Sequence, residues 1–425
     1  MKKYLKAIIV KLLWLQVDRL RRRHNPTVIA VAGSIGKTGT KTAIATVLSQ
    51  DKKVRWQDGN YNDIVSVPLI FFGQAMPSLL NPIGWIKVLV SNEAQILGKY
   101  TPEIVVLEVG TDYDGNMDEF VARLHADYGV LTAISAEHMA NFESMDAVAK
   151  EELKIADMVD EIIINADQID KQYIKVIKDA ITYGEGDYDC SINPSKLTKD
   201  FYRPVSFILN GKADAISIKT RLIGRQNLPG LASAVILGEK LGLSNSDIKS
   251  GLEKVQPIAG RMQLLLGKKQ SLLIDDSYNA SPEAVIAALN TLYEIPSRNR
   301  IAVLGQMNEL GKFSESMHKK VGQECDPSKL ELLVTIGDDA NNYLADSAEK
   351  AGCKVLRCPS PYHAADIVSS LLKKGSVVLI KGSQNGVFSE EVTKKLLQNK
   401  KDQQRLVRQS KAWLKAKERQ FGIND

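Results

Sequence analysis

The sequence predicts an α/β protein in which a P-loop-type, mostly parallel central sheet domain is followed by a smaller Rossmann-like α/β domain. Two observations support this fold class. Short apolar segments alternate with helical patterns along most of the 425 residues, which is typical of parallel sheets covered by helices on both faces. The apolar segment at residues 28–32 also runs directly into a glycine loop and a helical pattern, as phosphate-binding strands do.

The predicted elements fall into two successive groups. In the first group, the strands are expected at residues 28–32, 104–109, 128–134 and 161–165, with a small antiparallel excursion at 187–217. Helical patterns lie at residues 41–48, 69–100, 117–124, 144–159 and 231–241. In the second group, strands are expected at residues 272–275, 301–304, 332–336, 354–357 and 377–380. We therefore divide the chain into an N-terminal helix (1–24), a central domain that contains the glycine loop (25–256), a Rossmann-like domain (257–399) and a helical tail (400–425).

The composition is that of an ordinary globular protein, with 44% apolar and 25% charged residues. Its four cysteines do not complete a zinc site, so we expect free thiols and a cytoplasmic protein. The net charge of +6 is concentrated at the ends: residues 1–23 carry +7 and residues 400–425 carry +5, which leaves the body at −6. An acidic body argues against a nucleic-acid-binding protein, whose positive charge would cover a folded face.

The N-terminal segment reads as a basic amphipathic helix that is too short and too interrupted to span a bilayer. Its apolar face has two interpretations. It either lies in an anionic membrane surface, which would make the protein peripheral to the inner face of the membrane, or it packs on the body of the protein. The segment from 400 to 421 is expected to be one basic helix.

The chemistry begins at the glycine loop. Residues 33–38 read Gly33-Ser34-Ile35-Gly36-Lys37-Thr38, in which backbone N–H groups and Lys37 could bind phosphates and the Thr38 hydroxyl could hold Mg²⁺. Only two residues separate the glycines, whereas the common P-loop pattern has four. The alternative is therefore a glycine-rich turn with a chance lysine.

Two further groups are expected at the same edge of the sheet. Glu108 ends an apolar strand and could hold Mg²⁺, because ligands of open α/β sheets bind outside the carboxyl ends of the strands. His138 follows the next strand and is either a metal ligand or a structural histidine. In the second domain, Gly260-Arg261-Met262 and the segment 275–282 suggest a loop that contacts ribose or base, although such a loop alone is more often ordinary surface.

Taken together and in order, these blocks resemble the Mur ligase family over residues 28 to about 395. The resembling segments are 33–41, 59–62 with Val67-Pro68, 107–110, Glu137-His138, Asn227, 260–262, 275–282, 303–311 and 381–383. The resemblance implies an ATP- and Mg²⁺-dependent amide ligase that forms an acyl phosphate and then joins an amine to it. The acceptor it implies is a cell-wall precursor carboxylate, with D-alanyl-D-alanine or a similar amine.

The resemblance also implies roles for individual residues. Lys37, His138 and Arg261 would be catalytic, and Thr38, Glu108 and His138 would hold Mg²⁺. The residues implied in ATP binding are Gly33, Ser34, Ile35, Gly36, Lys37, Thr38, Gly39, Asn227 at the adenine, Asp276 at the ribose, Asn279 near the base and Arg261 at the phosphates. The residues implied in substrate binding are Asn60, Asn62, Lys381 and Ser383.

The chain departs from the family pattern in three ways. Glu152 stands where many members carry a carbamylated lysine, so we interpret it as a direct carboxylate ligand of the second Mg²⁺; a solvated helix face with Lys150 or Lys154 carbamylated is the alternative. Gln226 and Gln384 replace a histidine and a basic residue. Only about 25 residues precede the nucleotide core, too few for the family's UDP-sugar-binding domain.

The acceptor is consequently the least determined part of the prediction. The two remaining domains could bind it, a separate partner could supply acceptor binding, or the carboxylate could be a different one. A lipid-linked precursor would suit a membrane-lying helix. Two rival functions stay open: a ligase of the same mechanism for a capsule or polymer component, and an ATP-binding scaffold that has lost catalysis.

Overall fold

The computed structural model of the protein describes residues 2–57, 59, 61–136 and 139–422. It contains two mostly parallel sheets flanked by helices, which confirms the predicted fold class. The first sheet is built from residues 27–220 and the second from residues 263–381. The loops at the carboxyl ends of their strands face each other across a cleft.

The first sheet has nine strands in the order β2-β3-β1-β4-β5-β6-β7-β8-β9. Its strands are β1 (Thr27–Ala32), β2 (Val54–Arg55), β3 (Ile104–Glu108), β4 (Ala126–Leu131), β5 (Val159–Asn165), β6 (Ile181–Gly184), β7 (Cys190–Pro194), β8 (Arg203–Leu209) and β9 (Ile216–Thr220). Pairing is parallel from β2 to β7 and antiparallel from β7 to β9, as the sequence predicts for the excursion at 187–217. The short strands β2 and β6 are not predicted.

Helices cover both faces of this sheet. They are α1 (Lys2–His24), α2 (Lys37–Leu48), α3 (Ser66–Phe72), α4 (Pro82–Leu97), α5 (Asn116–Val121), α6 (Met145–Leu153), α7 (Lys171–Ile174), α8 (Pro229–Lys240) and α9 (Asn245–Lys254). One core lies between the sheet and α1, α3, α4 and α5, and the other lies under α2, α8 and α9.

The helical boundaries differ from the predictions in two places. The region expected to be helical at 69–100 contains two helices, because Gly73 ends α3 with φ 62° and Asn81 caps the start of α4. The helix expected at 144–159 ends at Leu153, and a 3₁₀ turn at Lys154–Met158 leads into β5.

The second sheet has six strands in the order β10-β11-β15-β12-β13-β14, parallel except for β10. Its strands are β10 (Gln263–Gly267), β11 (Ser271–Asp276), β12 (Arg300–Gly305), β13 (Leu332–Ile336), β14 (Val355–Cys358) and β15 (Val377–Lys381). The flanking helices are α10 (Pro282–Glu294), α11 (Ser314–Gln323), α12 (Ala345–Lys350), α13 (Pro361–Leu371), α14 (Glu390–Leu396) and α15 (Lys411–Phe421). The antiparallel strand β10 is not predicted.

The N-terminal helix α1 packs on the body of the protein. Leu13, Val17 and Leu20 are fully buried in the first core, and the Trp14 indole donates a hydrogen bond of 2.9 Å to the Ile64 carbonyl. The side of α1 that carries these residues is therefore structural, as the second interpretation of the sequence holds. Other apolar residues of the helix, among them Ile8, Leu12 and Leu15, stay exposed. None of the helices in the described part of the chain is long and apolar enough to cross a bilayer.

The C-terminal tail is not the single helix that the sequence predicts. A 3₁₀ turn spans Lys400–Arg405, and helix α15 begins only at Lys411. Between them Arg408 has a φ of 53°, and its guanidinium is bonded to Glu390 and to the Tyr278 carbonyl. Helical periodicity fails here because tertiary bonds fix this residue. The four cysteines are free thiols, as predicted, and all four are buried.

Candidate active site

The glycine loop joins β1 to α2 in a conformation that excludes side chains at its start. Gly33 has a φ of 123°, and a Cβ there would lie 2.3 Å from the Thr132 hydroxyl oxygen. Gly36, with φ 92°, caps α2. Lys37, the first residue of α2, donates hydrogen bonds to the Gly33 carbonyl at 2.5 Å and to the Ser34 carbonyl at 3.1 Å. The start of α2, where backbone N–H groups lack intrahelical partners, and the Lys37 ammonium therefore lie together at the end of β1.

Glu108 lies beside this loop because β1 and β3 are parallel neighbours, with Val31 opposite Glu108. The buried Glu108 carboxylate accepts a hydrogen bond from the Thr38 hydroxyl at 3.3 Å. Its second oxygen lies 3.1 Å from the Nζ of Lys41, which is also fully buried and donates to the Gly59 carbonyl. Thr38 and Glu108 therefore bring together the hydroxyl and the carboxylate that the sequence predicts as Mg²⁺ ligands.

Hard oxygen ligands such as these fit Mg²⁺. The two oxygen atoms converge within hydrogen-bond distance at the carboxyl edge of the sheet. The described residues include no cluster of three or more His, Cys, Asp or Glu side chains that could hold a metal ion. His138, the third predicted ligand, lies outside the described residues, as does Asn60.

The second domain contributes the opposite wall. The Arg261 guanidinium lies 4.2 Å above the centre of the Tyr278 ring and 3.4 Å from the Thr38 hydroxyl, so it reaches across from one sheet to the loop of the other. Asp276, at the end of β11, accepts a 2.7 Å hydrogen bond from Lys381 at the end of β15. Lys381 also donates to the Asn279 carbonyl at 2.9 Å.

These groups line one cleft, with a cavity of about 170 Å³ between the two sheets. The predicted site residues that line it are Ser34, Ile35, Gly36, Lys37, Thr38, Asn62, Glu108, Asn227, Arg261, Asp276, Asn279 and Lys381. Gly33 and Gly39 belong to the loop and to α2 but do not line the cavity. The buried Ser383 lies behind the wall, where its hydroxyl donates to the Ala280 carbonyl at 3.2 Å.

Glu152 lies next to this cleft and not on a solvated helix face. Its side chain is buried, and one carboxylate oxygen accepts a 2.8 Å hydrogen bond from Thr111, three residues after Glu108. Lys150 is exposed, and Lys154 is bonded to Glu151 and Asp118. Of the three side chains considered from the sequence, Glu152 is the one directed toward the carboxyl end of β3.

Some residues around the cleft have no role in the sequence analysis. Lys41, four residues after Lys37 on α2, is the buried partner of Glu108, and Tyr278 is the platform for Arg261. Both lie inside segments that resemble the Mur ligase family, 33–41 and 275–282, and this resemblance is the sequence feature that could have identified them. Arg408 bonds the carbonyls of Ser277 and Tyr278 from the far end of the chain, and no local pattern marks it.

Chemically, the cleft combines the glycine loop, three cationic side chains (Lys37, Arg261 and Lys381) and a carboxylate–hydroxyl pair. Lys37 lies at the end of the glycine loop in the first domain, and Arg261 reaches the same loop from the second domain. Such positioned cations stabilise the charge that develops during phosphoryl transfer. Beside the cleft, burial raises the pKa of the Asp275 carboxyl to about 6, and the negative charges of Glu390 and Asp276 act in the same direction.

Comparison with known proteins agrees with this arrangement. The chain matches the Mur ligase middle domain over residues 31–238 and the Mur ligase glutamate ligase domain over residues 260–384. It is 27% identical over 381 residues to the UDP-N-acetylmuramoyl-tripeptide–D-alanyl-D-alanine ligase of Bacillus subtilis, covering 88% of this chain and 76% of the relative. For the Escherichia coli ligase of the same name the identity is 25% over 402 residues, covering 89% and 79%.

Solved structures share the fold. MurF from Acinetobacter baumannii superposes with a TM-score of 0.76 at 21% identity, covering 93% of this chain and 81% of that one. MurF ligase from Thermotoga maritima in complex with ADP gives 0.74 at 22% identity, covering 91% and 83%. With both domain models matched in order and the fold shared throughout, the chain belongs to the Mur ligase family of ATP-dependent ligases.

Proposed function

We propose that the protein joins an amine to the carboxylate of a cell-wall precursor at the expense of ATP, as the relatives named for D-alanyl-D-alanine addition to UDP-N-acetylmuramoyl tripeptide do. One observation carries the proposal. The phosphate loop of the first sheet and Arg261 of the second face each other across one cavity, with Arg261 3.4 Å from the Thr38 hydroxyl. A bound triphosphate would thus be held from both domains.

The proposed reaction has two steps. The substrate carboxylate forms a bond to the γ-phosphorus while the bond to the β–γ bridging oxygen breaks, and ADP leaves. The amine then attacks the acyl carbon, loses a proton and displaces inorganic phosphate. Lys37 and Arg261 would lie against the negative charge in the first step. Mg²⁺, held by Thr38 and Glu108, would neutralise phosphate charge when bound.

The remaining assignments concern binding. We assign Asn227 to the adenine, Asp276 to the ribose and Asn279 to the neighbourhood of the base. All three line the cleft, Asn227 from the first domain and Asp276 and Asn279 from the second. Lys381 holds Asp276 and the Asn279 carbonyl at 2.7 and 2.9 Å, which favours a positioning role for Lys381 in addition to the substrate contact expected from the sequence. We retain Asn60, Asn62 and His138 as predicted. Ser383 is buried behind the wall and bonded to the Ala280 carbonyl, which favours a role in holding that wall over the substrate contact expected from the sequence.

We further propose that Glu152 supplies directly the negative charge that a carbamylated lysine supplies elsewhere in the family. Its burial and its hydrogen bond to Thr111 support this. Replacement by glutamine should raise the Mg²⁺ concentration needed for half-maximal thermal stabilisation by ADP about tenfold. Replacement by lysine should make both this stabilisation and the activity depend on added bicarbonate. Equal Mg²⁺ requirements in Glu152→Gln and the wild type would remove Glu152 from the site.

Phosphate release tests the overall function. With ATP, Mg²⁺, UDP-N-acetylmuramoyl tripeptide and D-alanyl-D-alanine, the wild type should release phosphate, and Lys37→Ala and Arg261→Ala should each reduce the rate by roughly 10²–10³-fold. Lys53→Ala, which alters an exposed lysine beyond the other end of α2, should leave it unchanged. Wild-type rates in Lys37→Ala would contradict the assignment of the phosphate loop.

The acceptor is tested by substitution of the reactants. Activity only with a different acid and amine would indicate a ligase for a capsule or polymer component. Activity restored by a second protein would indicate a partner that supplies acceptor binding, and activity only with a lipid-linked precursor would indicate a membrane substrate. ATP binding without phosphate release for any pair would favour the scaffold. Gln226 and Gln384, which line the cleft, are the positions at which specificity should then be sought.

A further inference from the structure

The outer surface of α1 and α4 carries an apolar strip that no described part of the chain covers. Eleven of the eighteen exposed large apolar side chains in the described residues lie on these two helices or in the segment just before α4. Their exposed fractions range from 36% to 79%. They are Tyr4, Leu5, Ile8, Leu12 and Leu15 on the first helix, Met76 and Leu80 before the second, and Ile83, Ile86, Val90 and Leu97 on it.

The two sets form one surface because the helices run side by side in the same direction. Three contacts fix the register: Gln16 donates to the Leu89 carbonyl at 2.9 Å, Arg19 bonds Glu93 at 2.6 Å, and Arg23 donates to the Leu97 carbonyl at 3.1 Å. Residues three and four apart on a helix are neighbours. On α1, Leu12 and Leu15 lie one turn before the contacting residues Gln16 and Arg19. On α4, Ile86 and Val90 lie one turn before Leu89 and Glu93. All four apolar side chains are exposed.

Basic residues border this strip. Lys11 and Arg22 flank it on α1 and Lys87 flanks it on α4; all three are exposed, and none makes an ion pair with a described residue. The acidic residues on this surface are Asp18 and Glu93, and Glu93 is paired with Arg19. The first 23 residues carry +7 against −6 for the body of the protein. The charge is therefore concentrated where the apolar side chains are exposed.

We propose that this surface binds an anionic lipid bilayer, with α1 and α4 lying in the plane of the membrane. Exposed Leu, Ile and Val side chains would enter the boundary between headgroups and acyl chains, while the lysines and arginines contact lipid phosphates. The positive charge of this surface favours an anionic bilayer over a second copy of the chain, because two strongly positive surfaces would repel each other. The inference does not depend on the ligase chemistry.

The surface is connected to the cleft through α1. The Trp14 indole is bonded to the Ile64 carbonyl, and Asn62, two residues earlier, lines the cavity. Binding of α1 to a bilayer would hold the cleft close to the membrane.

Vesicle co-sedimentation of the full chain tests the proposal. The wild type should bind vesicles containing phosphatidylglycerol at least about tenfold more tightly than vesicles of phosphatidylcholine alone. Raising the salt concentration from about 0.1 to 1 M shortens the Debye length from about 10 to 3 Å. This change should release most of the bound protein from the vesicles. The triple variant Ile8→Ser, Ile86→Ser, Val90→Ser should lose at least tenfold in vesicle affinity, as should Lys11→Glu, Arg22→Glu, Lys87→Glu.

A matched control uses exposed apolar residues elsewhere. The variant Val176→Ser, Ile208→Ser, Leu371→Ser removes three such side chains from other elements and should bind vesicles as the wild type does. Thermal unfolding of each variant checks that its fold is intact. The proposal fails if the wild type does not bind anionic vesicles or if the control loses as much affinity as the strip variants. It also fails if sedimentation equilibrium shows a dimer that the serine variant abolishes, since the strip would then bind a second copy.

Discussion

The two ends of the chain are both rich in basic residues, but these residues are mostly exposed on α1 and partly buried in ion pairs in the tail. Residues 1–23 and residues 400–425 each carry eight Lys and Arg residues. In α1 the buried side chains are apolar apart from Gln16, and Lys11 and Arg22 are exposed to solvent. In the tail, by contrast, Lys417 is only 1% exposed, and its Nζ lies 2.8 Å from Glu390 and 2.6 Å from Glu391.

The difference shows that the function of a basic segment depends on what it packs against. Helix α1 lies over an apolar sheet face, which leaves its charges outside. The tail lies over α14, which begins with two buried glutamates, and the side chains of two of its cations, Arg408 and Lys417, are buried against them. A buried carboxylate that stays ionised needs a positive partner. We therefore expect the tail to stabilise the fold through charge and α1 to stabilise it through apolar burial.

The largest effect should come from Lys417→Ala. The substitution leaves Glu390 and Glu391 buried with fewer positive partners, and removing one member of a buried ion pair costs about 3–5 kcal/mol. Urea unfolding monitored by circular dichroism would measure the loss. Lys415→Ala, an exposed position on the same helix, should change stability by less than about 0.5 kcal/mol. Similar results for the two variants would refute the charge-based account of the tail.

On α1 the corresponding test compares two adjacent leucines. Leu13 is fully buried and Leu12 is 39% exposed. Leu13→Ala should lower the free energy of unfolding by about 3–4 kcal/mol through lost burial and a cavity, and Leu12→Ala should lower it by less than about 0.5 kcal/mol. The same urea experiment measures both. Equal effects would mean that α1 is not fixed on the body through one face.

The pH dependence should reveal the acidic group beneath the tail. Burial, together with the charges of Glu390 and Asp276, raises the pKa of Asp275 to about 6 from 3.8, although the Thr393 hydroxyl donates to it. Because the folded pKa lies above the unfolded one, the protonated acid is favoured in the folded state, and ionisation costs stability as the pH rises from about 4 to 7.

Asp275→Asn, which resembles the protonated acid, should therefore gain about 2–3 kcal/mol relative to the wild type between pH 4 and pH 7. Urea unfolding at a series of pH values gives the difference. Glu390, whose charge acts on Asp275, keeps its ion pairs with Arg408 and Lys417 in this variant. A difference that stays constant with pH would contradict the burial of an ionisable Asp275.

Much of the fold follows from the sequence because long apolar strands alternate with helical patterns. Strands β2 and β6, with two and four residues, are too short to produce such a pattern. The broken tail is a different case. Its periodicity favours a helix, but Arg408 is fixed by bonds to residues at least 18 positions away, and tertiary contacts override local propensity.

The cleft was predictable to a similar extent. Lys37, Thr38, Glu108, Arg261 and Asp276 lie in motif segments at strand ends, and parallel topology brings strand ends together. The pairing of Lys41 with Glu108 depends on which way a side chain on α2 points. The contact of the tail with the segment after β11 joins Arg408 to Tyr278, which are 130 positions apart in the sequence. Neither leaves a pattern in the linear sequence.

The smallest expected effect connects the tail with the cleft. Arg408 donates to the Tyr278 carbonyl at 3.0 Å and to the two Glu390 oxygens at 2.9 and 2.7 Å. Arg408→Lys keeps the positive charge near Glu390 but loses the planar fork that makes these bonds together. Because Tyr278 supports Arg261 and is followed by Asn279, the dissociation constant for Mg²⁺-ADP should rise about tenfold, or about 1.4 kcal/mol.

Isothermal titration calorimetry would measure that constant. Arg405→Lys, the same substitution at an exposed tail position whose partner is Asp402, is the matched control and should bind ADP as the wild type does. An unchanged dissociation constant in Arg408→Lys would confine the tail to a stabilising role. A tenfold rise without a comparable loss of folding stability would instead show that the basic C-terminal segment positions the nucleotide-binding segment, a task that the equally basic α1 does not share.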